Sequence, residues 1–309
     1  MKRPNFFISG APRCGTTALY SYLSEHPNIF MSEVKELNYF ADDFPNVQKI
    51  AFKSPNDYLE LFKDADNRYP AVGEASPFYL FSKVAFENMR AFNPDARVIL
   101  SLRNPVDFTQ SYHQLNLSLL REDEPDLSRA WDLQNLRRQG QHLPRSAREP
   151  ELLMYGEIGQ FGKYVERLFK IFPREQVKII LLEDLASDTK GVYEDILGFL
   201  NVPSDGRTDF QRVNANFENK SQFLARLFHP PQPIYQLFMK TISLFGIDFM
   251  KKVSVVYNRI ERLNTTRSSR VAMDSNLRAR LQEHFRPDIE RLSNLIDRDL
   301  SAWLVSDFG

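Results

Sequence analysis

A single cysteine, Cys14, occurs in 309 residues. That excludes an internal disulfide and suits a reducing compartment. Net charge is missing as well: 40 basic and 40 acidic residues cancel, so overall charge announces no polyanionic partner, and no nucleic acid is expected. The five histidines, His26, His113, His142, His229 and His284, never fall at paired ligand spacing, so no metal is expected. No apolar run approaches the roughly 20 residues that span a bilayer. The first strand is reached by Asn5, which leaves no room for a signal peptide. The expectation is a soluble, cytoplasmic chain without a transmembrane segment. Repeats and low-complexity tracts are also lacking. The length then suits one domain over residues 1–309, and nothing in the pattern encodes an oligomeric state.

What is present is organised around Phe6-Phe7-Ile8-Ser9-Gly10-Ala11-Pro12-Arg13-Cys14-Gly15-Thr16-Thr17. Three apolar residues of strand type lead into a glycine-bounded turn, and Thr16 to Leu23 reads as a helix. The spacing Gly10-x4-Gly15-x-Thr17 matches a phosphate-binding loop, in which backbone N–H groups close around an anion at a helix N-terminus. The lysine of a nucleoside triphosphatase is replaced by Thr16, and the cation stands at Arg13. A P-loop kinase or NTPase, which needs that lysine, is the alternative reading; a nucleotide-binding protein without catalysis is another.

Continuous apolar runs separated by helices predict a parallel sheet buried on both faces, an α/β fold flanked by helices. Strands are expected at 71–74, 97–102 and 177–182, besides the first. Helices are expected at 54–62, 79–92, from 103 onward, at 158–172 and 193–200, and from Ser275, with Trp303 anchoring the end. Residues 121–150, charged and proline-punctuated, read as a surface excursion that shapes a substrate entrance, with a helical patch at 131–138. Residues 221–272 read as helical cover over the core or the site mouth, with a membrane- or partner-touching helix within 221–263 as the other reading.

Several side chains converge on this frame. Arg13 offers a planar, permanently charged fork to phosphate or sulfate oxygens. The helix after the loop carries the chain roughly 16 Å away, and the stretch after it can return by roughly 30 Å. Glu36 can therefore face Arg13 as a general base; a solvated Lys35–Glu36 surface pair is the bland alternative. Arg103 follows a strand at the carboxyl edge where open α/β sheets bind ligands, and Ser111 lies two helical turns on, so the two could hold a second phosphate. An Arg103–Asp107 helix pair competes with that reading. Glu74, Ser76 and Tyr79 follow another strand edge, with Tyr79 equally readable as core. Asn216, Asn219 and Lys220 suit a nucleotide lid or an ordinary turn.

Taken together, these motifs resemble the sulfotransferases that use 3′-phosphoadenosine 5′-phosphosulfate, in the branch shared by bacterial enzymes and the heparan-sulfate and tyrosylprotein sulfotransferases. Gly10 to Thr17 resembles the loop for the 5′-phosphosulfate. Arg97 to Val106 with Ser111 resembles the site of the 3′-phosphate, Lys35 to Phe40 the segment that carries the base, and Gly73 to Tyr79 the substrate-side turn.

The resemblance implies transfer of a sulfuryl group from that donor to a hydroxyl of a small molecule, glycan or lipid-linked acceptor, by in-line displacement. It implies Arg13 and Glu36 as catalytic residues. Gly10, Ala11, Pro12, Arg13, Cys14, Gly15, Thr16, Thr17, Arg103, Ser111, Asn219 and Lys220 would hold the donor. Lys35, Asn38, Ser76, Tyr79 and His113 would meet the acceptor. Two departures stand out. Many relatives place lysine at position 13, and heparan-type relatives often have lysine where Ala75 stands, which with zero net charge weakens a polyanionic polysaccharide as acceptor.

Overall fold

The strand-forming run at the N-terminus becomes the central strand of a parallel sheet, with every residue from Phe6 to Gly10 buried. The computed structural model describes residues 2–48, 52, 54–147, 149–211, 234, 237, 241 and 273–305, and the backbone of 217–219 and 265–267. In chain order the elements open with β1 (Phe6–Gly10), α1 (Thr16–Ser24), β2 (Ile29–Met31), α2 (Pro55–Glu60), β3 (Ala71–Ala75), α3 (Ala85–Phe92) and β4 (Arg97–Leu102). There follow α4 (Pro105–Ser118), α5 (Leu127–Asp132), α6 (Gln134–Arg138), α7 (Tyr155–Ile158), α8 (Phe161–Ile171) and β5 (Val177–Leu181). The chain continues with α9 (Leu182–Ser187), α10 (Thr189–Leu200), β6 (Phe217–Asn219), β7 (Thr265–Arg267) and α11 (Ser275–Ile296). The fold is α/β, a parallel sheet with flanking helices and helical additions toward the C-terminus.

Residues 1–103 and 167–215 form one compact unit, and residues 104–166 and 216–309 a second. In the first, the strand order is β2-β3-β1-β4-β5 and each pairing is parallel. From β1 the chain goes to one side of the sheet for β2 and β3, then to the other for β4 and β5. The carboxyl end of β1 therefore lies where the strand order reverses, the usual place for a ligand in an open α/β sheet.

Alternation along β1 sorts its side chains. Phe6 and Ile8 join Leu19 and Leu23 of α1 and Ile196, Leu197 and Leu200 of α10 in one cluster. Phe7 points the other way, edge-on to Phe40 at 5.4 Å. Full burial of each such side chain stabilises by about 1.5–3 kcal/mol. Gly73 is required here, because a Cβ on it would stand 2.4 Å from the Phe6 ring.

In the second unit, residues once expected as a surface excursion wrap an interior ion pair. Arg137 donates to Glu122 through both terminal nitrogens, at 2.7 and 2.6 Å, with both side chains fully buried. Tyr155 donates to the same carboxylate at 2.8 Å. The sequence disguises this, since two charged residues in a polar stretch look solvated until they are seen to face each other. Burial would raise the Glu122 pKa, but the Arg137 hydrogen bonds and Tyr155 leave it lowered. At the other end of the unit, Asp288 of α11 accepts the first amides of α8, from Gly162 at 2.7 Å and Lys163 at 2.9 Å. Trp303 is buried, and its carbonyl accepts from Asn104 at 3.2 Å. Strands β6 and β7 pair antiparallel.

Two expectations about elements change. β2 was not foreseen, because a three-residue strand gives no periodicity. The helix expected at 79–92 divides into a 3₁₀ turn over Pro77–Leu80 and α3, separated at Ser82. Ser82 Oγ there accepts the amides of Val84 and Ala85. Most of the cover expected at 221–272 lies outside the described residues.

Candidate functional site

The turn after β1 is held by β4. Ala11 N–H donates to the Ser101 carbonyl at 2.7 Å, and the Ser101 hydroxyl donates to the Cys14 carbonyl. Within the turn, Cys14 N–H donates to the Ala11 carbonyl at 3.3 Å. Gly15 precedes α1 in the left-handed region, φ 85°, and no side chain caps the helix. The opening amides of α1 thus face the turn without an acceptor inside the helix. At φ 85° a side chain is disfavoured at Gly15, and a Cβ there would also displace the tips of Leu182, at 2.9 Å, and Leu185, at 3.0 Å.

Arg13 is half-buried and also left-handed, φ 66°. Arg103 turns back toward it, its Nη1 donating to the Arg13 carbonyl at 3.4 Å. Asp107 pairs with Arg278 of α11 at 3.4 Å. Two guanidiniums and an uncapped helix N-terminus therefore gather at the carboxyl end of β1 and β4, a donor set that fits an oxyanion of the phosphate or sulfate type. Burial pushes the Cys14 thiol up to about 12, despite Arg103 and Arg13, so it is no thiolate at neutral pH.

The segment that carries Glu36 comes back to this turn. Lys35 Nζ donates to Thr17 Oγ1 at 3.0 Å and lies 5.0 Å above the Tyr20 ring. Glu36 is exposed, at φ 57°, and its N–H donates to the Ala75 carbonyl at 2.8 Å. Asn38, φ 51°, is buried; its Nδ2 donates to the carbonyls of Glu36 and Val47, and its Oδ1 has no partner. Left-handed non-glycine residues are costly, of order 1–3 kcal/mol each, and they cluster at functional sites. Arg13, Glu36 and Asn38 are three of them.

Ser76 and Tyr79, expected at the substrate, are fully buried. Their hydroxyls donate to Glu74, at 2.8 and 2.7 Å, and Tyr58 donates to the same carboxylate at 3.1 Å. Burial first, then the Glu74 charge, pushes Tyr58 and Tyr79 well above the usual phenol range. The sequence pattern missed Ser101 and Tyr58, which nothing local marks.

Ser111, His113 and Asn219 belong to the second unit. Ser111 is buried on α4, and β6, with the backbone of Asn219, runs beside that helix. His113 is buried too, its Nε2 2.8 Å from the Glu124 carbonyl, and burial lowers its pKa. Lys220 and Asn216 lie outside the described residues.

A family model described as "Sulfotransferase domain" matches residues 3–229. The chain belongs to the sulfotransferase family. A solved sulfotransferase from Alicyclobacillus acidocaldarius is 31% identical and superposes with a TM-score of 0.71, over 98% of this chain and 99% of that one. Among curated proteins, carbohydrate sulfotransferase 15 of Homo sapiens is 24% identical over 287 residues, 77% of this chain and 51% of that protein. The bifunctional heparan sulfate N-deacetylase/N-sulfotransferase 1 of Xenopus laevis is 25% identical over 225 residues, 72% of this chain and 25% of that protein. The chain spans a quarter to about half the length of these curated relatives. Family and fold support a sulfotransferase-type reaction with a donor like 3′-phosphoadenosine 5′-phosphosulfate. The glycine-bounded turn and the uncapped N-terminus of α1 suit an oxyanion group of the phosphate or sulfate type. Among the described residues, no three His, Cys, Asp or Glu side chains group to hold a metal ion, and no helix is long and apolar enough to cross a membrane.

Proposed function

We propose that the protein moves a sulfuryl group from 3′-phosphoadenosine 5′-phosphosulfate to a hydroxyl acceptor. The observation that carries this is the pairing of left-handed Arg13, beside an uncapped helix N-terminus, with a Glu36 segment tied to the same helix through Lys35 and Thr17. The donor supplies a sulfuryl group activated by a phosphate leaving group. Glu36 takes the proton of the incoming hydroxyl. Arg13 and the amides after Gly15 hold the oxygens on which charge grows. An arginine, with a pKa above 12, stabilises that charge without itself giving up a proton. Arg103 and Ser111 are the residues proposed for the 3′-phosphate, and Asn219 and Lys220 for a lid over the nucleotide. Lys35 and Asn38 flank the acceptor, and Ser76 and Tyr79 serve it from behind, by holding the segment in front of them. The family match runs through both compact units, which supports one sulfotransferase domain over 1–309.

The acceptor class to test first is a saccharide hydroxyl, because one relative carries carbohydrate in its name; small-molecule and lipid-linked hydroxyls are the others. Transfer of labelled sulfate from the donor to extracts fractionated by class tests the reading. Label is expected in a hydroxyl-bearing fraction, and lost with Glu36→Gln while binding of 3′-phosphoadenosine 5′-phosphate persists. Magnesium-dependent ATP turnover without sulfate transfer would replace it with a kinase reading. Tight nucleotide binding with no transfer to any fraction would replace it with a binding protein.

A further inference from the structure

Glu74 is a fully buried carboxylate at the penultimate residue of β3, outside the proposed chemical step, and its surroundings have a directional logic. A hydroxyl has one proton to donate and lone pairs to accept with. Ser76 spends its proton on Glu74 Oε2, and its oxygen accepts the Asn38 amide at 3.1 Å. Tyr79 spends its proton on Glu74 Oε1, and its oxygen accepts the Phe40 amide at 3.4 Å. The Glu36 amide is met directly by the β3 carbonyl of Ala75. Every second amide from Glu36 to Phe40 is thus held from the β3 edge, two of them through hydroxyls whose protons Glu74 has claimed. Tyr58 adds a third hold: its hydroxyl is on Glu74 and its ring stacks on Tyr39 at 4.0 Å and 9°.

We propose that Glu74 is a positioning residue for sulfuryl transfer: by accepting the Ser76 and Tyr79 protons it turns both hydroxyls into acceptors that lock the 36–40 segment, and with it the Glu36 carboxylate, in place. This rests on the reading of Glu36 as base. The lock has work to do, because Glu36 and Asn38 both sit in the left-handed region, which their own backbones disfavour. An acid at position 74 that could only accept serves both hydroxyls at once. An amide of the same shape cannot: its NH₂ donates, so one hydroxyl must reverse and point its proton at a backbone N–H.

The test is Glu74→Gln, read first by amide hydrogen exchange on the full chain. Protection is expected to fall at Asn38 or at Phe40, while the amides of β1 and β3 keep theirs. Unchanged protection at both positions, or an equal loss throughout β1 and β3, overturns the proposal. Turnover, read as release of 3′-phosphoadenosine 5′-phosphate in the presence of the hydroxyl-bearing fraction that takes the label, is expected to fall about 10- to 100-fold with donor KM unchanged. In the Glu36→Gln background, Glu74→Gln is expected to add no further loss; an independent, multiplied loss overturns the proposal. If Glu36→Gln alone leaves turnover intact, the base reading fails, and the exchange pattern still decides whether Glu74 locks the segment. Should Glu74→Gln not fold, Ser76→Ala is expected to deprotect Asn38 alone, with Ser76→Thr restoring protection; no change with Ser76→Ala overturns the proposal.

Discussion

Each compact unit buries a carboxylate, and the two are met by different chemistry. Glu122 in the second unit faces a guanidinium that answers both of its oxygens, with Tyr155 added. Glu74 in the first unit faces three hydroxyls, two of which pass their lone pairs on to a loop. An ion pair of the first kind stays local: it joins residue 122 to residue 137, and its backbone bonds, from the Asp123 and Glu124 amides to Glu122 and from Arg137 to the His142 carbonyl, lie in that same stretch. A hydroxyl relay continues outward, so the orientation of a buried acid reaches the backbone that carries Glu36. Burial depth is the same in both, and the partners decide whether a buried charge holds a fold or aims a site.

The sharpest way to break this contrast is at the oxyanion end of the site. Arg13→Ala is expected to lower turnover roughly 100- to 1000-fold, as for loss of other preorganised oxyanion donors, while the melting temperature barely moves. A loss confined to donor KM would put Arg13 in binding alone. Next in size is the ion pair. Arg137→Ala is expected to destabilise by about 3–5 kcal/mol in denaturant titration, because it strands Glu122 in the interior. The double change Glu122→Leu with Arg137→Met is expected to recover most of that, showing that the pair serves folding and not the reaction.

Gly15→Ala comes third. At φ 85° and with Leu182 in the way, it is expected to cost about 1 kcal/mol or more and to weaken binding of 3′-phosphoadenosine 5′-phosphate, measured by calorimetry. The smallest effect is a pH dependence in the second unit. Burial lowers the His113 pKa, so below about pH 6.5 the unfolded chain takes up a proton that the folded chain refuses, and stability falls as pH falls. His113→Gln is expected to flatten the decline of melting temperature between pH 6.5 and more acid conditions; an unchanged slope would assign it to other groups.

Much of the frame was legible beforehand because it is local. The Gly10 to Thr17 turn, the apolar run of β4 and the arginine at its end are contiguous patterns, and each formed where it was expected. The ambiguous residues were those whose partners lie far along the chain. Tyr79 was equally readable as core or crevice, and its partner Glu74, together with Tyr58, puts it inside. Arg103 reaches a carbonyl 90 residues earlier, a partner that no helical spacing announces. Residues 121–150 looked like solvated surface because charge in a sequence carries no sign of what faces it.

By itself the sequence determined that an anion-binding turn would follow the first strand, since glycine placement and helix onset depend on neighbouring residues alone. It also supplied, in order, the motifs that resemble those of sulfotransferases. Only the tertiary structure decided which way the buried hydroxyls point, and so which acid supports the Glu36 segment. A hydroxyl can donate or accept along many directions, and its choice is made by whatever group the fold brings opposite it.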